Sequence, residues 1–323
     1  MRLLELDSFR GLAAFAVILY HYNNYFFNPI PIFSYGNFGV QIFFIISGFV
    51  IFMTLQKIKR PKDFLITRFS RLYPTYWTAA ILTFITLKFT PFPTQEVTFS
   101  QLIINLTMMQ HWFGIQDIDG VYWSLAIELF FYLQIFLLLV WGNTKYITHY
   151  SFIWLILMLA TQALIHHRIF PHINYYYQFP LLRNGTLFIA GIHFYLLKYQ
   201  TDNNLLKHLM ILLCLGIHFW INGPLEGYII SGFFCLFYLF TYDKLGFLKA
   251  RPLVFLGTIS YPFYLIQQNI GFEILNFLQL TTINSIIIKG IITITIIGLI
   301  STFITFMIEK PANKWLRKQL NYH

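Results

Sequence analysis

Ten apolar runs, each 17 to 24 residues long, succeed one another through the chain: 8–27, 37–55, 74–90, 122–141, 151–167, 182–198, 205–222, 226–242, 252–272 and 285–308. An α-helix rises about 1.5 Å per residue, so runs of this length match a hydrocarbon core about 30 Å thick. Charged residues make up 11% of the chain and hydrophobic ones 57%. A soluble domain carries about a quarter charged residues, so too little polar surface is present to wrap a globule in water. In hydrocarbon every backbone N–H and C=O must find a partner inside its own segment, which a helix provides. The expected fold is therefore all-α: a polytopic membrane helix bundle forming a single domain over 1–323, with no soluble appendage.

Ten spans with a cytoplasmic N-terminus put every Lys and Arg inside except Lys88, Arg168, Arg183 and Lys289. Making the shorter run 101–113 an eleventh span splits the 22 basic residues evenly. The positive-inside rule therefore favours about ten transmembrane helices, both termini cytoplasmic, with 101–113 a short interfacial or re-entrant helix on the outer face. The net charge of +10 fits cytoplasmic anchoring charges and gives no cause to expect a nucleic-acid partner. Glu5, Asp7 and Arg10 argue against a cleavable signal peptide. Cys214 and Cys235 lie in apolar runs, and no Cys/His metal box, phosphate-cradling glycine loop or nucleotide fingerprint is present, so no metal is expected.

Ionisable groups inside such runs are the candidate site residues, because burying them is costly unless they are paired or hydrated. In the first run Arg10 and His21 stand about three turns and roughly 16 Å apart, on one helix face. Alone, each has a plain explanation: Arg10 as an interfacial anchor, His21 in an aromatic belt with Tyr20, Tyr22 and Tyr25. Histidine is also the side chain best suited to deprotonate a hydroxyl near neutral pH. Gly39 and Gly48 suit close helix packing. In Arg68-Phe69-Ser70-Arg71-Leu72-Tyr73-Pro74 two guanidinium forks three residues apart suit a phosphate or pyrophosphate, or else anionic lipid, and Pro74 suits the first turn of span three. Glu128, six residues into Tyr122-Trp123-Ser124-Leu125-Ala126-Ile127-Glu128, needs a cation or a proton, with Arg183 and His21 as possible partners; Ser124 reads first as a helix N-cap. Pro262 in Ser260-Tyr261-Pro262-Phe263-Tyr264-Leu265 should bend its span.

The order of these motifs carries more than any one of them. Arg10 with His21, Phe43-Phe44-x-x-Ser47-Gly48-Phe49, Arg68-x-x-Arg71 before Tyr73-Pro74, Trp123-Ser124-Leu125-x-x-Glu128, Ser260-Tyr261-x-x-Tyr264-Leu265 and Glu309-x-Pro311 follow in sequence. The series resembles the membrane acyltransferase-3 family, over residues 6 to 311. The resemblance implies a ten-helix O-acyltransferase of the bacterial inner membrane, most often an O-acetyltransferase, taking acetyl-CoA or another acyl-CoA from the cytoplasm. Its acceptor would be an envelope glycan or lipid-linked saccharide. His21 matches the family's catalytic histidine, Arg10 its partner, and Arg68 and Arg71 its paired arginines near the donor. Gln267 stands where members often carry a histidine.

The mechanism this implies has Arg68 and Arg71, with Tyr73, holding the donor at the cytoplasmic mouth. The pantetheine arm runs along the Arg10/His21 face, and His21 acts on the acceptor as general base or as acyl carrier. Glu128 would orient His21 or stabilise its protonated form. Trp123, Ser124, Arg183, Tyr261 and Tyr264 are the candidate acceptor-side residues. The alternative from another class is a transporter or flippase of a lipid-linked or anionic solute. The sequence fixes neither the acceptor nor the oligomeric state.

Overall fold

The structure, a computed structural model, describes residues 2–25, 30–58, 60–90, 93–142, 144–166 and 181–320. The described residues contain helices and turns and no strand. In chain order the α-helices are α1 (Leu4–Tyr25), α2 (Gly39–Leu55), α3 (Pro61–Phe89), α4 (Phe99–Asn105), α5 (Trp123–Val140), α6 (Ile147–His166), α7 (Leu181–Tyr199), α8 (Asn204–Asn222), α9 (Pro224–Thr241), α10 (Arg251–Ile266), α11 (Asn269–Gln279), α12 (Ile286–Phe303) and α13 (Lys310–Gln319). Among the described residues six helical stretches are long and apolar enough to cross a membrane: Pro31–Leu55, Gly120–Val140, Thr144–Leu164, Asn204–Asn222, Pro224–Thr241 and Ile286–Gln319. Residues 1–40, 65–126 and 248–323 form one compact unit, and 41–64 with 127–247 form another.

In the first unit α1 and α10 run parallel, Asp7 beside Gly257 and His21 beside Gln267. Glycine permits that closeness. A Cβ on Gly11 would lie 2.5 Å from the Gly257 nitrogen, and one on Gly257 would overlap the Asp7 carbonyl. The N-terminal end is fixed by Ser8 Oγ donating to the Leu248 carbonyl (2.5 Å) and by Lys249 pairing with Glu5 (3.0 Å).

Pro74 behaves differently from the sequence expectation. The helix expected to start at Pro74 starts at Pro61, where Arg60 clamps Asp63 through two hydrogen bonds of 2.8 and 3.0 Å. A proline in the first turn loses no bond, and the Arg60–Asp63 pair completes the start, so the basic segment becomes part of α3. Pro74 sits inside the helix, where Thr78 Oγ1 donates to its carbonyl at 2.8 Å. The expected run 252–272 is two helices, broken at Gln267–Gln268 rather than at Pro262, which stays inside α10. Downstream, α12 passes through a π-helical turn (Ile304–Glu309) into α13.

The run 101–113 does not form a spanning helix. It divides into the seven-residue α4 and a 3-10 turn (Gln110–Phe113). The segment folds back along α3: Tyr73 OH donates to the Thr107 carbonyl (3.2 Å), Tyr76 OH to Asn105 (2.7 Å) and Trp77 Nε1 to Leu106 (2.9 Å). Tyr73 lies roughly 24 Å along the axis from Phe89, so the segment packs well short of the end of α3. Backbone outside a helical ladder needs other partners, and Asn105 adds more: its Nδ2 donates to the Gln101 and Gln116 carbonyls and its Oδ1 accepts from Ile118 N–H.

In the second unit the predicted small-residue contact forms between α2 and α7. A Cβ on Gly48 would overlap the Phe188 carbonyl, and one on Gly191 the Ile45 carbonyl. Phe188 stacks on Phe131 of α5, with ring centroids 4.3 Å apart. Lys198 Nζ donates to the Phe240 and Thr241 carbonyls, both at 3.1 Å, closing the C-terminus of α9.

Candidate functional site

His21 is the imidazole the α1–α10 packing positions. Its Nδ1 lies 3.0 Å from Gln267 Oε1 and 2.7 Å from Gln267 Nε2. Gln267 is fully buried, and Tyr22 OH donates to its backbone carbonyl at 3.0 Å, which fixes the backbone that carries the amide. If Oε1 accepts from Nδ1–H, the lone pair of Nε2 is the basic site; if the amide N–H donates to Nδ1, the ring proton sits on Nε2. The position where Gln replaces a frequent family histidine is thus the one touching the candidate base. An amide carbonyl orients the ring without adding charge.

At the opposite end of the α1 stripe the Glu309 carboxylate, on the π-helical turn, lies in the field of Arg71, Arg10 and Lys310. The structure brings together Arg10 and Arg71 from helices far apart in sequence, and Arg317 Nε reaches Ser70 Oγ at 3.4 Å. Arg68 is buried, at 7% exposure. Tyr73 stacks on Phe69, centroids 4.6 Å apart, besides its bond to the Thr107 carbonyl. π-Helical turns are often retained where a helix must aim a functional side chain, and this one aims Glu309 between arginines.

The remaining motif residues of the first unit build its frame. Ser124 Oγ donates to the Val121 carbonyl (3.0 Å) and meets Tyr264 OH at 2.8 Å; it does not cap α5, because Trp123 already starts that helix. Tyr264 OH also reaches the Val121 carbonyl at 3.2 Å, and Tyr261 OH donates to the Leu72 carbonyl at 3.2 Å. Asp119 was not singled out from sequence, yet it anchors this region. Its carboxylate accepts from Asn269 N–H at 3.1 Å and Val121 N–H at 3.3 Å, while Asn269 Nδ2 donates to the Ile118 carbonyl at 2.8 Å. The segment that folds back along α3 is thereby clipped to the helix break that carries Gln267. Burial pushes the Asp119 carboxyl up to about 7, against the pull of those two N–H groups and with a small push from Asp117. An Asp-Gly pair ahead of a helix is the local signal that marks it, but its partner lies 150 residues away.

Glu128 and Arg183 belong to the second unit. Glu128 Oε1 accepts from Ser47 Oγ (2.9 Å) and from Tyr132 OH. Arg183 Nε donates to Asn222 Oδ1 at 2.6 Å and its Nη2 pairs with Glu226 at 3.3 Å. Glu226 also meets His218 Nε2 at 3.3 Å, and His218 Nδ1 meets Thr186 Oγ1 at 2.9 Å, a buried cluster that spacing alone did not reveal. Arg168, one of the basic residues expected on the outer side, lies outside the described residues.

The family described as an acyltransferase domain matches residues 3–310. A protein of Acidianus two-tailed virus, provisionally described as an acetyltransferase (ORF330), is 27% identical over 131 residues, which are 41% of this chain and 39% of that protein. The chain thus spans about two fifths of the length of that curated relative. No solved structure matches. With a match over nearly its whole length, the chain belongs to the acyltransferase domain family.

Proposed function

We propose that this acyltransferase-family protein is a membrane O-acyltransferase that uses cytoplasmic acetyl-CoA to acylate a hydroxyl of an envelope glycan on the outer side of a bacterial inner membrane. The observation that carries the proposal is the His21–Gln267 contact: an imidazole with Nδ1 engaged by a buried amide, about 16 Å up one helix from Arg10, which with Arg71 faces Glu309. The ten-span topology with both termini cytoplasmic is part of the proposal. The parallel course of α1 and α10 supports it, since spans one and nine both run outward in that topology.

In this mechanism Arg71 and Arg68 bind the donor's phosphates by charge-assisted hydrogen bonds, with Arg10 next to them and Tyr73 beside the passage. The pantetheine arm spans the distance along α1 and presents the thioester near His21. His21 Nε2 takes the proton of the acceptor hydroxyl as its oxygen attacks the thioester carbonyl. The C–S bond breaks, coenzyme A leaves as thiolate, and the proton passes from His21 to that sulfur. Gln267 Oε1 holds Nδ1–H throughout. Glu128, held by Ser47 and Tyr132 within the second unit, takes no step in this mechanism. Trp123, Ser124, Tyr261 and Tyr264 set the wall on which the acceptor is received, and Arg183 with Glu226 fixes the outer end of α7.

The test is acetyl-CoA-dependent transfer by the purified protein in lipid nanodiscs. Changing both Arg68 and Arg71 to Ala should raise the Kd for acetyl-CoA at least about tenfold, the worth of one charge-assisted hydrogen bond. Unchanged donor affinity would refute the assignment of the donor end.

A further inference from the structure

Beyond His21 the outer end of α1 meets α11, and the two helices bring a distinct set of side chains together. Phe272 sets its ring edge-on to His21, with centroids 6.5 Å apart, and stacks on Tyr25 at 5.2 Å. Tyr25 OH donates to Asn276 Oδ1 and accepts from Gln279 Nε2 at 3.2 Å. Phe272, Asn276 and Gln279 sit at i, i+4 and i+7 on one face of α11. Phe272 and Asn276 are half-buried, and Gln279 is exposed. The helix that carries them is fixed: Glu273 on the adjoining face accepts from Thr90 Oγ1 (3.0 Å) and Thr94 N–H (2.8 Å), and Asp119 caps its N-terminus.

We propose that Phe272, Asn276 and Gln279, with Tyr25, form the acceptor subsite, and that it takes a neutral polyhydroxylated ring such as a hexopyranose. This rests on the acyl-transfer role of His21 proposed above. The chemistry of the set is specific. An aromatic pair offers an apolar face for the C–H side of a sugar ring. The Tyr25 bonds occupy Asn276 Oδ1 and one N–H of Gln279, which leaves the Asn276 N–H donors and the Gln279 carbonyl, a donor and an acceptor side by side for neighbouring hydroxyls. Among the described residues the set contains no Lys, Arg, Asp or His besides His21, and the Glu273 carboxylate on the adjoining face is bound by Thr90 and Thr94. An anionic acceptor would find no cation in this set besides His21. Tyr25 stands one turn beyond His21, about 6 Å along the axis, so a ring bound at Asn276 and Gln279 brings its own hydroxyl, or that of the next sugar, to the base.

The experiment has two independent arms on the full-length protein in nanodiscs. In the first, saturation-transfer NMR without donor probes methyl α-glucoside, methyl α-galactoside, methyl β-N-acetylglucosaminide and, as the charged control, glucuronic acid. The wild type should bind at least one neutral glycoside more tightly than the glucuronate, and Gln279→Leu and Asn276→Ala should weaken that binding by about tenfold, the worth of one or two neutral hydrogen bonds. In the second, acetyl transfer to the bound glycoside should show KM for the sugar raised about as much in both variants, with the Kd for acetyl-CoA where it was. Gln279 is exposed, so its change to Leu, similar in bulk, tests the subsite even if Asn276→Ala fails to fold. Glycoside binding and KM that ignore both substitutions overturn the subsite, as does tighter binding of glucuronic acid. Glycoside binding lost in the variants while no acetyl-CoA-dependent transfer occurs in the wild type upholds the subsite and refutes the acyl-transfer role of His21.

Discussion

Replacing Gln267 by Ala removes the one described side chain that touches His21 Nδ1. Two losses follow. The first is a neutral hydrogen bond, about 1 kcal/mol and hence about fivefold in rate if it is fully expressed in the transition state. The second is orientation: without an acceptor at Nδ1 the ring turns more freely, and the proton can reside on Nε2, where it blocks the base. Groups that orient a functional histidine from behind typically contribute 10- to 100-fold. A neutral amide stabilises the imidazolium less than a carboxylate does, so the loss should stay below the roughly 10⁴-fold of triads with a buried carboxylate. The expected result is kcat lowered about 10- to 100-fold, with KM for acetyl-CoA within about twofold. Free coenzyme A thiol, followed in nanodiscs with acceptor present, reports both constants. Gln267→His, which can again engage Nδ1, should recover most of the rate, whereas Gln267→Leu, similar in bulk, should not. Wild-type kcat in the Leu variant would refute the orienting role, because packing is kept there and only the polar contact is lost.

Other predictions follow from the frame. Gly257→Leu forces a side chain into the Asp7 carbonyl and should cost at least about 1–3 kcal/mol through overpacking, read as a lower melting temperature of the detergent-solubilised protein; an unchanged melt would contradict the close α1–α10 approach. Asp119 titrates near 7 when folded against 3.8 ordinarily, so its neutral form is favoured by folding. That stabilisation is complete below about pH 4 and is lost as pH rises through 7, by up to about 4 kcal/mol. Melting temperature should therefore fall from pH 5 to pH 8, and Asp119→Asn should flatten the slope; an equal slope in both proteins would show that another group controls it.

Much of this arrangement was legible in the residues taken in order. The apolar runs became helices because length and hydropathy are local properties, and Arg10 and His21 fell on one face because three turns of helix separate them. Gly48 met its neighbour as small residues do. What escaped was decided by tertiary partners. Pro74 suggested a helix start, but the Arg60–Asp63 clamp with Pro61 made a better one. Pro262 suggested a bend; the break at Gln267, where Asp119 supplies a cap to Asn269 from a distant segment, had no local signal. The run 101–113 was ambiguous by length alone, and three side chains of α3 resolve it by donating to its carbonyls. Gln267 looked like a departure from the family pattern until its amide proved to be the neighbour of His21. Glu309 read as a motif residue without a role until the π-helical turn set it among arginines.

The central claim is that His21 carries acyl transfer, and one measurement bears on it most directly. Envelope glycans from cells expressing the wild-type protein or His21→Ala, at matched membrane levels, are compared by mass spectrometry for added acetyl groups. Acetylation present with the wild type and lost with His21→Ala is the predicted result. Acetylation retained with His21→Ala would contradict it.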